Sequence, residues 1–295
     1  MFYKIINIFS VTAFILFILS PLFAETEDTR LQELLKIAER PPSKDEPEQK
    51  LYSKGDIILC EGESEAALAN NKAASMMDAG DFLNAEKAFA EALKHAPLFF
   101  VFRYNIGICY IHLNKLDHAL LNMEKASNIF PEYYKTYIQI GYIYQLQRKD
   151  DIAIVYYRKA LEKNPRAYEV FVLIGDIYLD RNQIEMARKY YLTSLELNPK
   201  NPNAQLGQAK IHYFRKEYYR AMTIIKYIPP GGEYDKSLHY YYAECAYKLQ
   251  DYQTAFTQYN TLLTFKTDKF FITNSAAIIK HKIDLCSRFI EVQER

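Results

Sequence analysis

The chain has 295 residues, 49% hydrophobic and 15% aromatic, with no Trp, four Cys and a formal net charge of +1. That length exceeds what one ordinary globular core needs. The near-neutral balance excludes the clustered basic footprint of a nucleic-acid binder, and cysteines with no C-x-x-C spacing support neither a zinc site nor a thioredoxin-like one.

Lys4 is the only charge in residues 1–24, and an apolar run extends from Ile5 to Ala24, broken by Asn7 and Pro21. A charged start, an apolar middle and a small final residue fit a secretory signal cut after Ala24, although Leu22 is bulkier than usual for its place. At about 20 residues the same run also suffices for an uncleaved anchor. Both readings export residues 25–295, to the periplasm or cell envelope, with inner-membrane anchoring or secretion as alternatives. Membrane contact is expected only if the segment stays uncleaved. No Cys follows the run, which argues against a lipid anchor.

Residues 25–65 hold 12 acidic and 6 basic residues. They read as an acidic, loosely ordered arm, with a short helix from Leu31 to Arg40 and an apolar patch at Ile57, Ile58, Leu59 and Cys60. The rest of the chain is mildly basic, so the arm is able to lie on it.

From residue 66 a period of 34 takes over. Ala85, Ala119, Ala153, Ala187, Ala221 and Ala255 occupy position 20 of six successive units, 66–99 through 236–269. Position 8 is Ala73, Gly107, Gly141, Gly175, Ala209, Ala243, and position 24 is Phe89, Met123, Tyr157, Tyr191, Ile225, Tyr259. Positions 4, 8 and 11, and again 20, 24 and 27, recur at helical spacing. Each unit therefore reads as two helices of about 13 residues by that spacing. Small residues at 8 and 20 let the backbones approach, and aromatics fill the space beside them. Pro97, Pro131, Pro165 and Pro199 end the second helix of four units. Pro229-Pro230-Gly231-Gly232 cuts the second helix of unit five short. Residues 270–295 read as a capping helix, with Ile278, Ile279, Ile283, Leu285 and Ile290 available to cover the last open face.

These columns resemble the tetratricopeptide repeat, most fully in unit three with Tyr137, Ile140, Gly141, Tyr144, Ala153, Tyr157, Ala160 and Pro165. The resemblance covers 66–269. It implies an all-α fold, a right-handed α-solenoid of about six helix-turn-helix repeats, whose first helices line a concave groove that commonly binds peptide segments. Positions 2, 5, 9 and 12 then face the groove. The candidate groove residues are Val101, Tyr104, Asn105, Ile108, Ile111 and His112 in unit two, and Lys135, Ile138 and Tyr142 in unit three. Val172, Leu206, Lys210, Tyr213 and Tyr240 continue the set.

Unit two stands out. From Phe99 to Leu113 its first helix is apolar nearly all round, a pattern that demands burial on all sides. Its groove side needs a cover or stands as an apolar patch. The cover is either a partner segment or the chain's own Ile57–Cys60 patch folding back. Some family members clamp the C-terminal carboxylate of chaperones. The matching positions here hold Asn70, Ala74, Asn105, Lys135 and Gln139, with two of the three cations missing, which argues against that clamp.

No phosphate loop, nucleophile elbow or H-E-x-x-H helix occurs, and no cofactor or metal is expected. His212 and His239 fall in core columns and are expected to be hydrogen-bonded packing residues. Cys109 and Cys245 share a repeat position four units apart, too far for a disulfide, so buried free thiols are expected. The functional reading is a non-enzymatic scaffold of the bacterial envelope, gripping a peptide segment of a partner protein of unknown identity. A self-assembling structural envelope protein and an enzyme with a site assembled across repeats are the alternatives.

Overall fold

A computed structural model describes residues 51–61, 65–232, 234–265 and 273–293. The apolar N-terminal run, the cut after Ala24 and the helix expected over Leu31–Arg40 lie outside the described residues. Among the described residues no helix is long and apolar enough to cross a membrane. The chain divides into two compact units, one ending at Ala167 and the other beginning at Tyr168.

In the first unit, strands β1 (Leu51–Lys54) and β2 (Ile57–Cys60) precede six helices: α1 (Glu65–Asp78), α2 (Phe82–His95), α3 (Phe100–His112), α4 (Leu116–Ile129), α5 (Tyr134–Leu146) and α6 (Asp150–Lys163). The second unit holds α7 (Tyr168–Asp180), α8 (Ile184–Leu197), α9 (Pro202–Phe214), α10 (Tyr218–Lys226), α11 (Asp235–Lys248), α12 (Tyr252–Thr264) and α13 (Thr273–Gln293). Each unit is thus a run of helical hairpins, as the 34-residue period predicts, and α10 stops after nine residues, ahead of the Pro-Pro-Gly-Gly stretch.

Three residues join the two helices of every hairpin, and the middle one always has positive φ: Gly80, Asn114, Arg148, Asn182, Lys216 and Gln250, between 57° and 80°. The amide that follows turns back to the carbonyl five residues earlier, as in Lys115 N to Tyr110 O (2.8 Å) and Glu217 N to His212 O (2.9 Å). This left-handed cap satisfies carbonyls that the helix end leaves open. Glycine fills it without steric cost only at Gly80; Arg148, Lys216 and Gln250 hold it against their own Cβ.

The six repeat alanines are all fully buried. Opposite them, position 24 fills the space that position 8 leaves open. A Cβ added to Gly141 would lie 2.5 Å from the Tyr157 ring, and one added to Gly107 would lie 2.8 Å from the end of Met123. Tyr191 is wedged between Gly175 and Gly207, where added Cβ atoms would approach it to 2.8 and 2.6 Å. The close helix approach expected of small residues is therefore real, and it is set by a ring lying flat against bare backbone.

Residues 51–60 depart from the sequence reading of a loosely ordered arm. They form an antiparallel hairpin with Leu51 opposite Cys60 and Lys54 opposite Ile57, turning through Gly55 at φ +59°. Glycine at the first central position matches a type II′ turn. The capping helix also differs in detail. In α13, Ile279 and Cys286 enter a core with Ala243, Ala255, Tyr259 and Leu262, and Ile283 packs at its edge. Ile278, expected on this face, is exposed, because the stripe runs through 279, 283 and 286 and leaves 278 a quarter-turn away. All four cysteines are free and buried. Burial pushes the Cys60 thiol up to about 11, and burial aided by neighbouring glutamates pushes Cys109 and Cys245 to about 12.

Two stability measurements check this packing. Gly141→Ala is expected to cost ~1–3 kcal/mol, because a tyrosine ring has no room to yield, and Gly107→Ala less, because the Met123 thioether swings aside. Arg148→Gly is expected to stabilise by about 0.5–1 kcal/mol through relief of the left-handed strain. Denaturant midpoints that rank the two alanine variants the other way would contradict the ring-on-backbone account.

Candidate functional site

The first-helix face of the first unit is occupied by the hairpin. Lys54 and Ile57 close the two-residue turn, so Ile57 and Leu59 direct their backbone groups toward β1 while Ile58 and Cys60 direct theirs outward. Three asparagines meet that outer edge. Asn105 of α3 accepts from Ile58 N (2.9 Å) and donates to Ile58 O (2.8 Å). Asn70 of α1 donates to the same carbonyl (3.0 Å), and its own carbonyl oxygen accepts from Asn105 (2.8 Å). Asn71 accepts from Cys60 N (3.0 Å) and donates to Cys60 O (2.9 Å). The amide side chains stand in for a neighbouring strand. At the rim Lys54 pairs with Asp78 (2.7 Å), and Lys135 of α5 donates to Ser53 Oγ (2.7 Å).

Beneath lie the apolar residues that singled out unit two. Val101, Tyr104, Asn105 and Ile108 are buried, as are Ile58 and Cys60. The cover left open between a partner segment and the Ile57–Cys60 patch is, in this structure, the patch. Burying the Ile58 side chain contributes ~1.5–3 kcal/mol, and each amide–backbone bond a net ~0.5–1.5 kcal/mol. Burial pushes the Tyr104 phenol well above its ordinary range, with Tyr133 and the turn carboxylate of Asp56 adding to it. Of the remaining candidates, Ile111, Lys135 and Ile138 are half-buried and Tyr142 is exposed. His112 stacks on Phe82 of α2, ring centroids 4.1 Å apart.

The second unit presents a different first-helix face. Val172 and Leu206 are buried, whereas Lys210, Tyr213 and Tyr240 are half-buried. Two carboxylates organise it. Tyr191 passes Gly175 and donates to Asp176 (2.6 Å), which Lys210 approaches to 3.6 Å. Tyr259 donates to Glu244 (2.6 Å), Tyr213 donates to its other oxygen (3.3 Å), and the partly exposed Lys282 of α13 pairs with this buried carboxylate. Burial, then the adjoining carboxylate, raises both the Tyr191 and Tyr259 phenols far above the ordinary range, so they stay donors. Lys210 lies 5.8 Å from the Tyr241 ring, and Lys282 lies 5.6 Å from that of Tyr259. His212 and His239 have the expected hydrogen-bonded partners, Glu217 and Gln258, each at 2.7 Å.

Comparisons with known proteins agree with this architecture. A family model described as tetratricopeptide repeat matches residues 70–127 and 144–202, and one described as anaphase-promoting complex, cyclosome, subunit 3 matches 180–261. The chain belongs to the tetratricopeptide repeat family. No curated protein matches it. Among solved structures, the APC/C hetero-tetramer Cut9–Hcn1 superposes with a TM-score of 0.61 at 17% identity over 70% of this chain, which spans 41% of that one. A tetratricopeptide repeat protein from Parabacteroides merdae gives 0.57 at 20% identity, covering 77% and 88% of the two chains. The type IV pilus biogenesis factor PilW gives 0.57 at 18%, covering 70% and 97%. At these identities the likeness is one of fold.

Within the tetratricopeptide frame, Asn105 and Lys135 are the two residues that match the carboxylate clamp, and here Asn105 holds the main chain of β2 while Lys135 donates to Ser53 of β1. Sequence reading missed Asn71, although Asn71, Asn105 and Gln139 form an amide column at the 34-residue spacing. It also missed Lys282, which reaches the site from outside the repeats. Lys282→Met is expected to cost ~1–3 kcal/mol by leaving Glu244 buried with phenol donors alone. Adding Glu244→Gln is expected to return most of that loss. Additive losses in a double-mutant cycle would show that the pair is not coupled.

Proposed function

We propose that this chain is a non-enzymatic scaffold of the bacterial cell envelope that binds a peptide segment of a partner protein along its first-helix groove. The observation that carries the reading is the pre-set first-helix face of the second unit. Lys210, Tyr213 and Tyr240 are half-buried and partly open to solvent there, and the groups around them are fixed from within by the Tyr191–Asp176 and Tyr259–Glu244 bonds. Fixed donors, acceptors and rings need little ordering on binding, which favours affinity. Aromatic and cationic side chains of this kind are enriched where proteins meet. A tetratricopeptide groove is a familiar place for a peptide, and the apolar run ending at Ala24 supports export. PilW, a relative in fold, is a pilus biogenesis factor.

Capture from envelope extract by the tagged chain tests the reading. The triple variant Lys210→Glu, Tyr213→Ala, Tyr240→Ala is expected to lose at least about tenfold in affinity for the captured protein, the loss of a small hot spot, with an unchanged circular dichroism spectrum. Equal capture by both forms would remove the second unit from the binding surface. Fractionation and intact mass test export; a cytoplasmic chain that retains residues 1–24 would refute it.

A further inference from the structure

The contact between β2 and the asparagines is made in main-chain atoms. An asparagine side chain carries a donor and an acceptor at the spacing of a peptide group, so Asn71 and Asn105 each answer one residue's N–H and C=O. Such a surface accepts any extended chain, and selectivity is left to the places filled by Ile58 and Cys60. We propose that Asn70, Asn71 and Asn105 form a strand-binding site for an extended partner segment with an apolar residue followed two positions later by a small apolar one. Ile57–Cys60 is then its exchangeable occupant in cis. The inference rests on the scaffold reading and names the ligand class for the first unit.

Three observations make β2 an occupant rather than a fixed part of the core. First, a two-stranded hairpin of four-residue strands is marginal on its own, so its order depends on the asparagine contacts. Second, its seating is one-sided: Ile58 and Cys60 are buried, but Ile57 and Leu59 line a cleft of about 170 Å³ that they share with Asn71, Ala74, Ser75 and Asp78. Third, its rim contacts are exposed: the side chains of the Lys54–Asp78 pair are both more than half accessible, and an ion pair of that kind holds weakly. Only four residues separate β2 from α1, so the tethered strand competes at an effective concentration of the order of millimolar. A free segment meets a site already filled, and its apparent affinity falls accordingly.

Cys60 reports the exchange. In the full chain carrying Cys109→Ala, Cys245→Ala and Cys286→Ala, thiol labelling of Cys60 is expected to outpace global unfolding. An excess of a synthetic peptide of residues 51–61 with Ala in place of Cys60 is expected to accelerate it by holding the strand off. The fluorescent form of that peptide is expected to bind the full-length Ile58→Asp variant at least about tenfold more tightly than the parent, and adding Asn105→Ala is expected to abolish binding. Labelling of Cys60 only at the rate of global unfolding would overturn the proposal, as would a folded Ile58→Asp chain that binds no more peptide than the parent. Exchange of hairpins between two copies, seen as a concentration-dependent dimer, would overturn the assignment to a partner. If Cys60 stays locked while an envelope protein is still captured, the exchange idea fails and the scaffold reading survives.

Discussion

The structure depends on a large side chain of one helix lying against bare backbone of the other. Where position 8 is glycine, as at Gly141 and Gly175, the ring from position 24 occupies the volume a Cβ would need. That contact fixes how close the two helices of a hairpin come. It also has a chemical consequence on the far side. Because the ring passes the glycine rather than stopping at it, the phenol emerges by the first-helix face. Tyr157 reaches Gln145 (2.9 Å) and Tyr191 reaches Asp176 (2.6 Å); Tyr259 makes the equivalent contact past Ala243, on Glu244. Core packing and surface preorganisation are thus one interaction. A polar group on the outer face is held in place by a residue whose main work is to separate two helices.

The period made the hairpins legible. Six alanines in phase, with glycines and rings in their own columns, specify helix pairs, because only a repeated close approach explains repeated small residues. The interhelix turns were harder to read. The left-handed residue recurs every 34 positions, yet only Gly80 carries the residue that announces such a conformation. At Arg148, Lys216 and Gln250 the hydrogen bonds of the cap overrule the side chain's preference. Ile278 failed for a different reason. An apolar residue beside an apolar stripe is indistinguishable from a member of it until the register of the helix is known, and here Ile279 and Cys286 are the residues that enter the core.

The hairpin was the larger omission, and its signal was present. Lys54-Gly55-Asp56-Ile57 has glycine at the first central position of a two-residue turn, between two short runs capable of forming strands. The acidic composition of residues 25–65 outweighed it. Composition describes an average, whereas a hairpin needs only ten residues and a surface to lie on. The need for such a surface was legible from the other side: the first helix of unit two is too apolar to stand open. The surplus of apolar residues on α3 and the patch at Ile57–Cys60 were two halves of one observation, joined by the amides of Asn70 and Asn105.

The two units illustrate how a repeat diverges without losing its fold. Columns 8, 20 and 24 face inward between the helices and tolerate little change, because an added Cβ meets a ring or a buried sulfur. Columns 5 and 9 face outward and carry no such constraint. On α3 they hold Tyr104 and Ile108, and that face is oily and covered by the chain itself. In the second unit, column 9 holds Asp176, Lys210 and Glu244 beside Val172, Leu206 and Tyr240 in column 5; Asp176, Lys210 and Tyr240 are half-buried, whereas Glu244, Val172 and Leu206 are buried. A buried carboxylate such as Glu244 would be costly without partners. Tyr259 comes from the packing column itself, Tyr213 from the preceding hairpin and Lys282 from the helix that closes the array. The inward columns therefore set more than the spacing of the helices. They decide which polar groups the outward columns are able to keep.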